Sequence, residues 1–489
     1  MTDSPQHLEL ELGPLAHGGH TVARTQEGRV VFVRHGAPGE RVRVRLSEAQ
    51  DEARFWRGDV VEVLSPVQGR RARHPWEPAD SMLSWASGRA PVGGAELGHL
   101  ELELQRRLKT EVLRELLGGI GGFGPEQLEA LDPRVEALPG ETDDGLGWRT
   151  RAHFAVDEHG RAAMHPHRSD ELVPVQDFPL MTPALSALRI GEIDWSGATR
   201  LDLAGPSADA PTVVVTAAHP FDEDLVRRLR EHALPALQVA HARAGGEGEI
   251  GLVLSADTSA GSPRREPLVL SGTGRTVERI GQRTWEVSAG GFWQVHRSAP
   301  QHLLGLVEQE SGLSAGEDAL DLYSGAGLLT AALAEAVGEA GSVLAVEGSP
   351  LTSTDAARRF GEDPQVEAVT GSVEDVLARR WPELVRIPQR RRRGGRPSRG
   401  RRGAASSVPS RRPDVVVLDP PRAGAGKVVV DAIAALEPRR IVSVSCDPAT
   451  AARDLARFRH RGWQVRSLRG LDLYPNTHHL ETVTVLERS

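Results

Sequence analysis

The sequence predicts an α/β protein in three parts: an N-terminal β-barrel, an α+β middle domain and a C-terminal doubly wound, mostly parallel sheet. Short alternating strands fill the beginning of the chain, and strands and helices then mix without a regular order. Near the C-terminus, strands and helices alternate strictly. We therefore predict domains at 1–66, 67–285 and 286–489, in line with the roughly three domains that 489 residues suggest.

Charge and cysteine content exclude several function classes. The formal net charge is −8, although residues 386–413 contain eleven arginines and no acid. The negative charge of the rest of the chain argues against a surface that binds nucleic acid broadly and non-specifically, but it does not exclude a local basic groove. The only cysteine, Cys446, excludes a disulfide framework, a cysteine-rich zinc site and a four-cysteine iron–sulfur cluster. We predict an intracellular, cytoplasmic protein, because we find no secretory signal and no apolar stretch of about 18 residues that would suggest a membrane helix.

The first 66 residues have the pattern of a small barrel. Leu8, Leu10 and Leu12 alternate with acidic residues, and further short strands are predicted over 29–33, 40–46 and 59–64. Glycine-rich turns separate these strands. Several short strands in so few residues suggest a barrel of the OB type, although periodicity alone is equally compatible with a structural appendage.

The middle region mixes helices and strands. Leucines and a valine at helical spacing predict a helix over 100–117, and a second helix is predicted over 222–243. Strands are predicted over 148–156, 212–217 and 249–255. This mixture favours an α+β domain.

The C-terminal region alternates β-strands and α-helices. Strands are predicted over 319–323, 342–346, 414–418, 440–445 and 481–486. Helices are predicted between them, over 328–337, 351–360 and 374–380, and a helix over 298–311 precedes them. This rhythm predicts a mostly parallel sheet covered on both faces. The arginine-rich stretch 386–413 interrupts it and is predicted to be a disordered insertion, for which a solvated loop is favoured over an RNA tether.

A glycine-rich turn follows the first of these strands in Asp321-Leu-Tyr-Ser-Gly-Ala-Gly327. Gly325 and Gly327 would let a ligand approach the backbone closely, and Glu347 ends the next strand, where a carboxylate commonly holds ribose hydroxyls. Tight turns also need glycine, so the glycine pattern alone is weak evidence. The added carboxylate makes a nucleotide-like cofactor the better interpretation.

Three further motifs follow later strands. Asp419-Pro-Pro-Arg422 is either a rigid turn or part of a site at the carboxyl end of the sheet. A lone cysteine is usually a small buried hydrophobic residue, but Cys446 follows a strand at the same edge, which favours a nucleophile. The segment 473–481 ends in His-His-Leu-Glu481 and offers a general base, although a surface loop would use similar residues.

Taken in order, these motifs resemble the RNA uracil-5-methyltransferase family. The resemblance rests on Gln294 and on the elements D-L-Y-S-G-A-G, V-E, D-P-P-R-A-G, S-C-D-P-A-T and P-N-T-H-H-L-E. It covers the chain from about Phe292 and reappears at 8–66, which is similar to the TRAM domain, an RNA-binding barrel. The family implies a Rossmann-like class I methyltransferase domain, S-adenosylmethionine as cofactor, and ribosomal or transfer RNA as substrate.

Carried over by position, the resemblance assigns roles to individual residues. It implies that Gln294, Tyr323, Glu347 and Asp419 contact the cofactor, that Cys446 is the nucleophile and that Glu481 is the general base. Family members with an iron–sulfur cluster carry cysteines where this chain has Val92, Ala95 and Phe178, which implies a variant without the cluster or another metal. A strand-end asparagine of some members is replaced by Ser372.

The implied chemistry explains why a thiol is needed. A thiolate adds to C6 of uracil, C5 then becomes nucleophilic enough to take a methyl group, and a base removes the C5 proton. The RNA must expose its base, and we expect Arg149, Arg151, Arg168 and the barrel to contact phosphates of the RNA. We expect a monomer that does not associate with membranes.

Two other functions remain open. An RNA cytosine-5-methyltransferase would use the same attack on C6, but many such enzymes place a second cysteine in the tetrad that here reads Asp-Pro-Pro-Arg. A non-catalytic RNA-binding or ribosome-assembly protein could retain a degenerate methyltransferase fold, but Glu347, Cys446 and Glu481 are intact.

Overall fold

The computed structural model of the protein describes residues 6–50, 52–219, 222–256, 266–385 and 411–488. Contacts between Cα atoms divide the chain into two units. The first consists of 1–119, 125–302 and 469–481, and the second of 120–124, 303–468 and 482–489. The predicted domain boundaries after residues 66 and 285 stay a prediction. Residues 386–410 of the predicted arginine-rich insertion lie outside the described residues.

The first unit begins with a six-stranded, half-barrel sheet, which confirms the predicted N-terminal barrel. Its strands are β1 (His7–Glu11), β2 (Leu15–Ala16), β3 (His20–Arg24), β4 (Val30–Arg34), β5 (Arg41–Glu48) and β6 (Phe55–Ser65). They lie in the order β1-β5-β6-β4-β3-β2. Alternating apolar residues, among them Val31, Val42 and Val44, are buried in its core and hold the sheet together.

The remainder of the first unit mixes helices with a second sheet. Its helices are α1 (Ser81–Ala86), α2 (Leu102–Gly119), α3 (Pro125–Leu131), α4 (Pro183–Ser186), α5 (Glu223–Arg228), α6 (Leu234–Arg243) and the first turn of α7 (Ala299–Ser311). Its strands are β7 (Val135–Glu136), β8 (Arg151–Val156), β9 (Ala162–Met164), β10 (Val173–Pro174), β11 (Arg200–Ala204), β12 (Thr212–Ala217), β13 (Gly251–Ala256), β14 (Leu268–Ser271), β15 (Arg275–Ile280) and β16 (Arg283–Ser288). Seven strands form one sheet in the order β10-β9-β8-β11-β12-β13-β14, and β15 pairs with β16 in a separate hairpin. This architecture confirms the predicted α+β character.

One predicted helix differs from the structure. The sequence predicts a single helix over 222–243, but α5 and α6 are joined by a π-helical turn at Leu229–Ala233. Pro235 lies at the start of α6, and a proline lacks the N–H that would donate to the carbonyl four residues earlier. The backbone therefore widens locally instead of continuing as a regular α-helix.

The second unit is built on a mostly parallel sheet, as predicted. Its strands are β17 (Asp318–Leu322), β18 (Ser342–Glu347), β19 (Val366–Thr370), β20 (Val415–Leu418), β21 (Arg440–Ser445), β22 (Trp463–Leu471, up to Leu468 in this unit) and β23 (Glu481–Arg488, from Thr482 in this unit), in the order β19-β18-β17-β20-β21-β23-β22. β23 is paired antiparallel to its neighbour β21, and the five strands before it in this order are parallel. The intervening helices are α8 (Leu328–Val337), α9 (Pro350–Arg359), α10 (Val373–Arg380), α11 (Gly426–Leu436) and α12 (Pro448–His460). Among the described residues, no helix combines the length and the apolar character that crossing a membrane requires.

Candidate active site

The glycine-rich turn between β17 and α8 has a backbone that other residues would not tolerate. Gly325 and Gly327 have φ values of 56° and 86°, in the left-handed region. A Cβ atom at Gly327 would also lie 2.4 Å from Cε2 of Phe360. Tyr323, which is not glycine, adopts a φ of 63°, a strained conformation of the kind that functional sites often hold. At the carboxyl end of the sheet, the turn therefore offers backbone atoms that no glycine side chain covers.

Glu347, at the end of β18, is bound to this turn. Its Oε2 accepts a hydrogen bond from the backbone N–H of Gly325 at 2.9 Å, and its Oε1 accepts one from that of Ser349 at 2.6 Å. A carboxylate can accept about four hydrogen bonds, so two acceptor positions remain for hydroxyl groups. Glu347 is thus oriented in advance for the ribose-binding role that the sequence predicts.

Two buried polar atoms at the turn lack a partner within the described part of the chain. Asp321 Oδ2 accepts a hydrogen bond from Thr330 Oγ1 at 2.6 Å, but Asp321 Oδ1 and Ser324 Oγ have none. Burial raises the pKa of Asp321 to about 7, and the negative charges of Asp419 and Glu347 add to the rise. Burial also raises the pKa of Tyr323. Unsatisfied buried polar atoms are costly, so these atoms fit a site completed by a polar ligand such as an amino or hydroxyl group.

The Asp-Pro-Pro-Arg turn follows β20, which pairs with β17. The N–H of Asp419 donates to the carbonyl of Leu322 at 3.2 Å, which places Asp419 beside the glycine-rich turn. Downstream, the Asp454 carboxylate on α12 accepts hydrogen bonds from Ala425 at 2.7 Å and Gly426 at 3.3 Å. Tyr323, Gly325, Gly327, Glu347 and Asp419, all predicted cofactor residues, are therefore brought together at one edge of the second unit.

Cys446 lies between β21 and α12. It is partly exposed, and the next residue, Asp447, caps α12 by accepting a hydrogen bond from Thr450 N at 2.8 Å. Ser445, just before the cysteine, is paired with Thr482, and Thr482 Oγ1 donates to the Ser445 carbonyl at 3.2 Å. Glu481 immediately precedes Thr482 and is buried. Cys446 directly follows Ser445, and Glu481 directly precedes Thr482, so each predicted catalytic residue adjoins one member of this residue pair.

The segment before Glu481 has contacts that the sequence analysis missed. Glu96 Oε1 accepts a hydrogen bond from the backbone N–H of His478 at 3.0 Å and also contacts His478 Nδ1. The rings of His478 and His479 are 3.9 Å apart. Gln105 and Lys109 of α2 bind the same segment. The partners are more than 350 positions apart in the chain, and no local pattern could have linked them.

The remaining predicted residues lie in the first unit. Gln294 lines a cavity of about 330 Å³ together with Trp293 and Glu278. Arg151 does not face solvent as a phosphate contact would, because its guanidinium is bonded to Thr276 and Glu278. The Arg149 guanidinium donates to the Arg151 carbonyl at 2.7 Å, whereas the Arg168 side chain is 57% exposed.

The positions that carry iron–sulfur cysteines in some similar proteins are filled with apolar residues. Val92, Ala95 and Phe178 are buried in one core cluster. The ring of Phe178 packs 5.0 Å from that of Trp76 and 6.2 Å from that of Phe154. None of these three side chains could bind iron, so the residues present do not fit such a cluster.

Comparisons with known proteins agree with this arrangement. A family model described as tRNA (Uracil-5-)-methyltransferase matches residues 281–489, and a TRAM domain model matches residues 6–61. An uncharacterized RNA methyltransferase of Streptomyces avermitilis is 36% identical over 99% of this chain and 98% of its own length. The 23S rRNA (uracil(1939)-C(5))-methyltransferase RlmD of Halomonas elongata is 31% identical over 98% of this chain and 89% of its own length.

A solved structure shares the fold. It is that of the Pyrococcus abyssi tRNA (uracil-54, C5)-methyltransferase in complex with S-adenosyl-L-homocysteine, with a TM-score of 0.64, 18% identity, and coverage of 98% of this chain and 100% of that one. The relatives match nearly the whole sequence, and the sheet edge offers the turn and the carboxylate expected for the cofactor. The chain therefore belongs to the S-adenosylmethionine-dependent RNA uracil-5-methyltransferase family.

Proposed function

We propose that this enzyme methylates C5 of a uridine in ribosomal or transfer RNA through a covalent bond between Cys446 Sγ and uracil C6. The observation that carries the proposal is the register of β21 and β23, in which Ser445 is opposite Thr482. Cys446 and Glu481 each adjoin one member of that pair. A nucleophile and a base on neighbouring strand ends suit a reaction in which both act on one ring.

Each residue performs a distinct step in this scheme. The Cys446 thiolate forms a bond to C6, and the electrons of the 5,6 double bond move toward C5 and O4. S-adenosylmethionine, when bound, would supply an electrophilic methyl group to C5 and would leave as neutral S-adenosylhomocysteine. Tyr323, Glu347 and Asp419 would hold the cofactor over the glycine-rich turn, and the family resemblance implies Gln294 as a further cofactor contact. The Glu481 carboxylate then takes the proton from C5, the double bond re-forms and the carbon–sulfur bond breaks. Cys446 leaves as a thiolate, so electrons and protons balance.

Cys446 adjoins the start of a helix. The residue lies just before the capped N-terminus of α12, a helix of 13 residues. The N-terminal end of a helix carries a partial positive charge, which stabilises an anion placed there.

Relatives suggest which RNA to test first. The 31% identical relative that spans nearly the whole chain is named for uridine 1939 of 23S rRNA. Ribosomal RNA is therefore the first substrate to assay, with transfer RNA as the second. Arg168 is a better candidate for phosphate contact than Arg149 or Arg151. Its side chain is 57% exposed and its ion-pair partner, Glu48, lies 3.9 Å away, whereas the other two guanidinium groups donate hydrogen bonds at 2.7 and 3.2 Å within the chain.

Mechanism-based trapping tests the proposal. RNA containing 5-fluorouridine lacks the C5 proton that the base must remove, so we expect a covalent protein–RNA complex that mass spectrometry locates at Cys446. The Cys446→Ala variant should form no complex and lose methylation of ordinary RNA, while Cys446→Ser should retain cofactor binding without turnover. Product formed by Cys446→Ala would refute the covalent route.

The same assay distinguishes the alternatives. A cytosine-5-methyltransferase would be trapped by 5-fluorocytidine RNA and not by the uridine analogue. A non-catalytic RNA-binding protein would show no binding of S-adenosylmethionine in calorimetry. Arg422 in the last place of the Asp-Pro-Pro-Arg turn, together with a single cysteine in the chain, favours uracil.

A further inference from the structure

We propose that Lys109 and Gln105 are positioning residues for the general base, because they fix residues 472–480, here called the base loop, which leads directly into Glu481. The proposal rests on the function proposed above for Glu481. All residues concerned belong to the first unit.

Lys109 is one of two lysines in the chain and is almost completely buried, with 1% exposure. Its Nζ lies 2.6 Å from Asp472 Oδ1 and donates to the Tyr474 carbonyl at 3.1 Å. Asp472 is fully buried. A buried ammonium group is costly unless it is both paired and hydrogen-bonded, so this pair is stable only in one arrangement of the loop.

Gln105 lies one helical turn before Lys109, on the same face of α2. Its Oε1 accepts a hydrogen bond from the Asn476 N–H at 2.8 Å, and its Nε2 donates to Asn476 Oδ1 at 3.0 Å. The same Nε2 donates to the Leu100 carbonyl at 2.9 Å, which ties the loop to the helix start. Asn476 has a φ of 67°, and this left-handed conformation persists because the surrounding contacts impose it.

The contacts alternate along the base loop. Asp472 and Tyr474 bind Lys109, Asn476 binds Gln105, and His478 binds Glu96. Every second residue from Asp472 to His478 is therefore fixed from outside the loop. This pattern is denser than loop closure requires, and it suits a segment that must hold a catalytic group in place.

Positioning matters for one step only. Addition of Cys446 to C6 does not need the base, whereas removal of the C5 proton does. A displacement of about 1 Å can slow a positioned reaction step about 100-fold. Loss of the Lys109 contacts should therefore slow proton removal far more than adduct formation. If Lys109 had a purely structural role, its loss would instead lower the rates of both steps by the same factor, because a smaller fraction of the enzyme would be folded.

The test uses full-length enzyme and RNA that carries tritium at C5 of uridine. Adduct formation is measured as denaturant-resistant protein–RNA complex, and proton removal as tritium released to water, both in single turnover. For Lys109→Met we expect tritium release to slow about 100-fold relative to adduct formation, so that the adduct accumulates. Lys109→Arg, which keeps the charge, should restore much of the release.

Controls separate the possible failures. Val112→Ala removes a buried side chain of the same helix from a cluster that contains no base-loop residue, and it should not change the ratio of the two steps. If Lys109→Met misfolds, Lys109→Met/Asp472→Leu replaces the ion pair with apolar groups and should fold while showing the same selective defect. Equal slowing of both steps, or no change, would overturn the positioning role. If Glu481→Gln itself fails to accumulate adduct, the proposed function fails instead.

Discussion

At the scale of single residues, burial changes the acid–base behaviour of Asp321, beside the glycine-rich turn. Its side chain is buried at the end of β17, and burial raises its pKa to about 7 from the usual 3.8. The folded protein therefore holds a proton there that the unfolded chain releases. A carboxyl group with a raised pKa stabilises the fold at low pH, and that stability is lost as the pH rises toward the folded-state value.

The Asp321→Asn variant should remove this pH dependence. From pH 5 to pH 8 the wild type should lose about 2–3 kcal/mol of unfolding free energy relative to the variant, because the unfolded carboxyl is ionised across that range and the folded one is not below about pH 7. Urea denaturation of both proteins without cofactor measures the difference. Thr330→Val, which removes the hydrogen bond to Asp321, should raise the pKa further. A constant difference between the proteins at both pH values would contradict the prediction.

At the scale of helices and strands, the sequence predicts best the elements that consist of a continuous apolar segment. Strand β12 and helix α8 coincide with their predictions because their residues are apolar and lie between polar or glycine-rich turns. Strand β22 was missed because polar residues such as Arg466 and Arg469 interrupt its pattern. Tyr323, Glu347 and Asp419 could be selected from the sequence because each lies at or just after the end of a strand, and their role in cofactor binding stays a prediction. The contacts of Lys109, Gln105 and Glu96 are formed only by the folded chain.

The cap of α12 gives a test at this scale. Asp447→Ala removes the acceptor for Thr450 N and should cost about 0.5–2 kcal/mol of unfolding free energy. Cys446 adjoins this cap, so the rate of adduct formation with 5-fluorouridine RNA should fall as well, while Asp447→Ser should retain both properties. Asp222→Ala removes the equivalent aspartate cap of α5 and should lower stability without slowing adduct formation. If Asp447→Ala and the wild type form the adduct at equal rates, the helix cap has no effect on the reactivity of the Cys446 thiol.

For the whole molecule, the main problem is how an acidic chain binds RNA. A net charge of −8 repels phosphates, so affinity must come from local surfaces. The half-barrel has one such surface on β4 and β6. There the ring of Phe32 contacts that of Phe55 at 5.2 Å. The Arg57 guanidinium lies 4.6 Å from the Phe55 ring and also pairs with the partly exposed Glu48. Phe55 is 37% exposed, so its ring is accessible to a ligand.

An exposed aromatic ring next to an arginine suits stacking of an unpaired base. The Phe55→Ala variant should therefore weaken RNA binding about 10-fold, since a stacked base is worth about 1–3 kcal/mol. Calorimetry with S-adenosylmethionine and urea denaturation should give wild-type values, because Phe55 belongs neither to the cofactor edge nor to the barrel core. Val239→Ala, at an apolar side chain on α6 that is 50% exposed, serves as the control and should leave RNA affinity unchanged. If both variants bind RNA as the wild type does, the half-barrel contributes to RNA binding through its phosphate contacts alone. The salt dependence of RNA binding should then be unchanged in Phe55→Ala and reduced in Arg57→Ala.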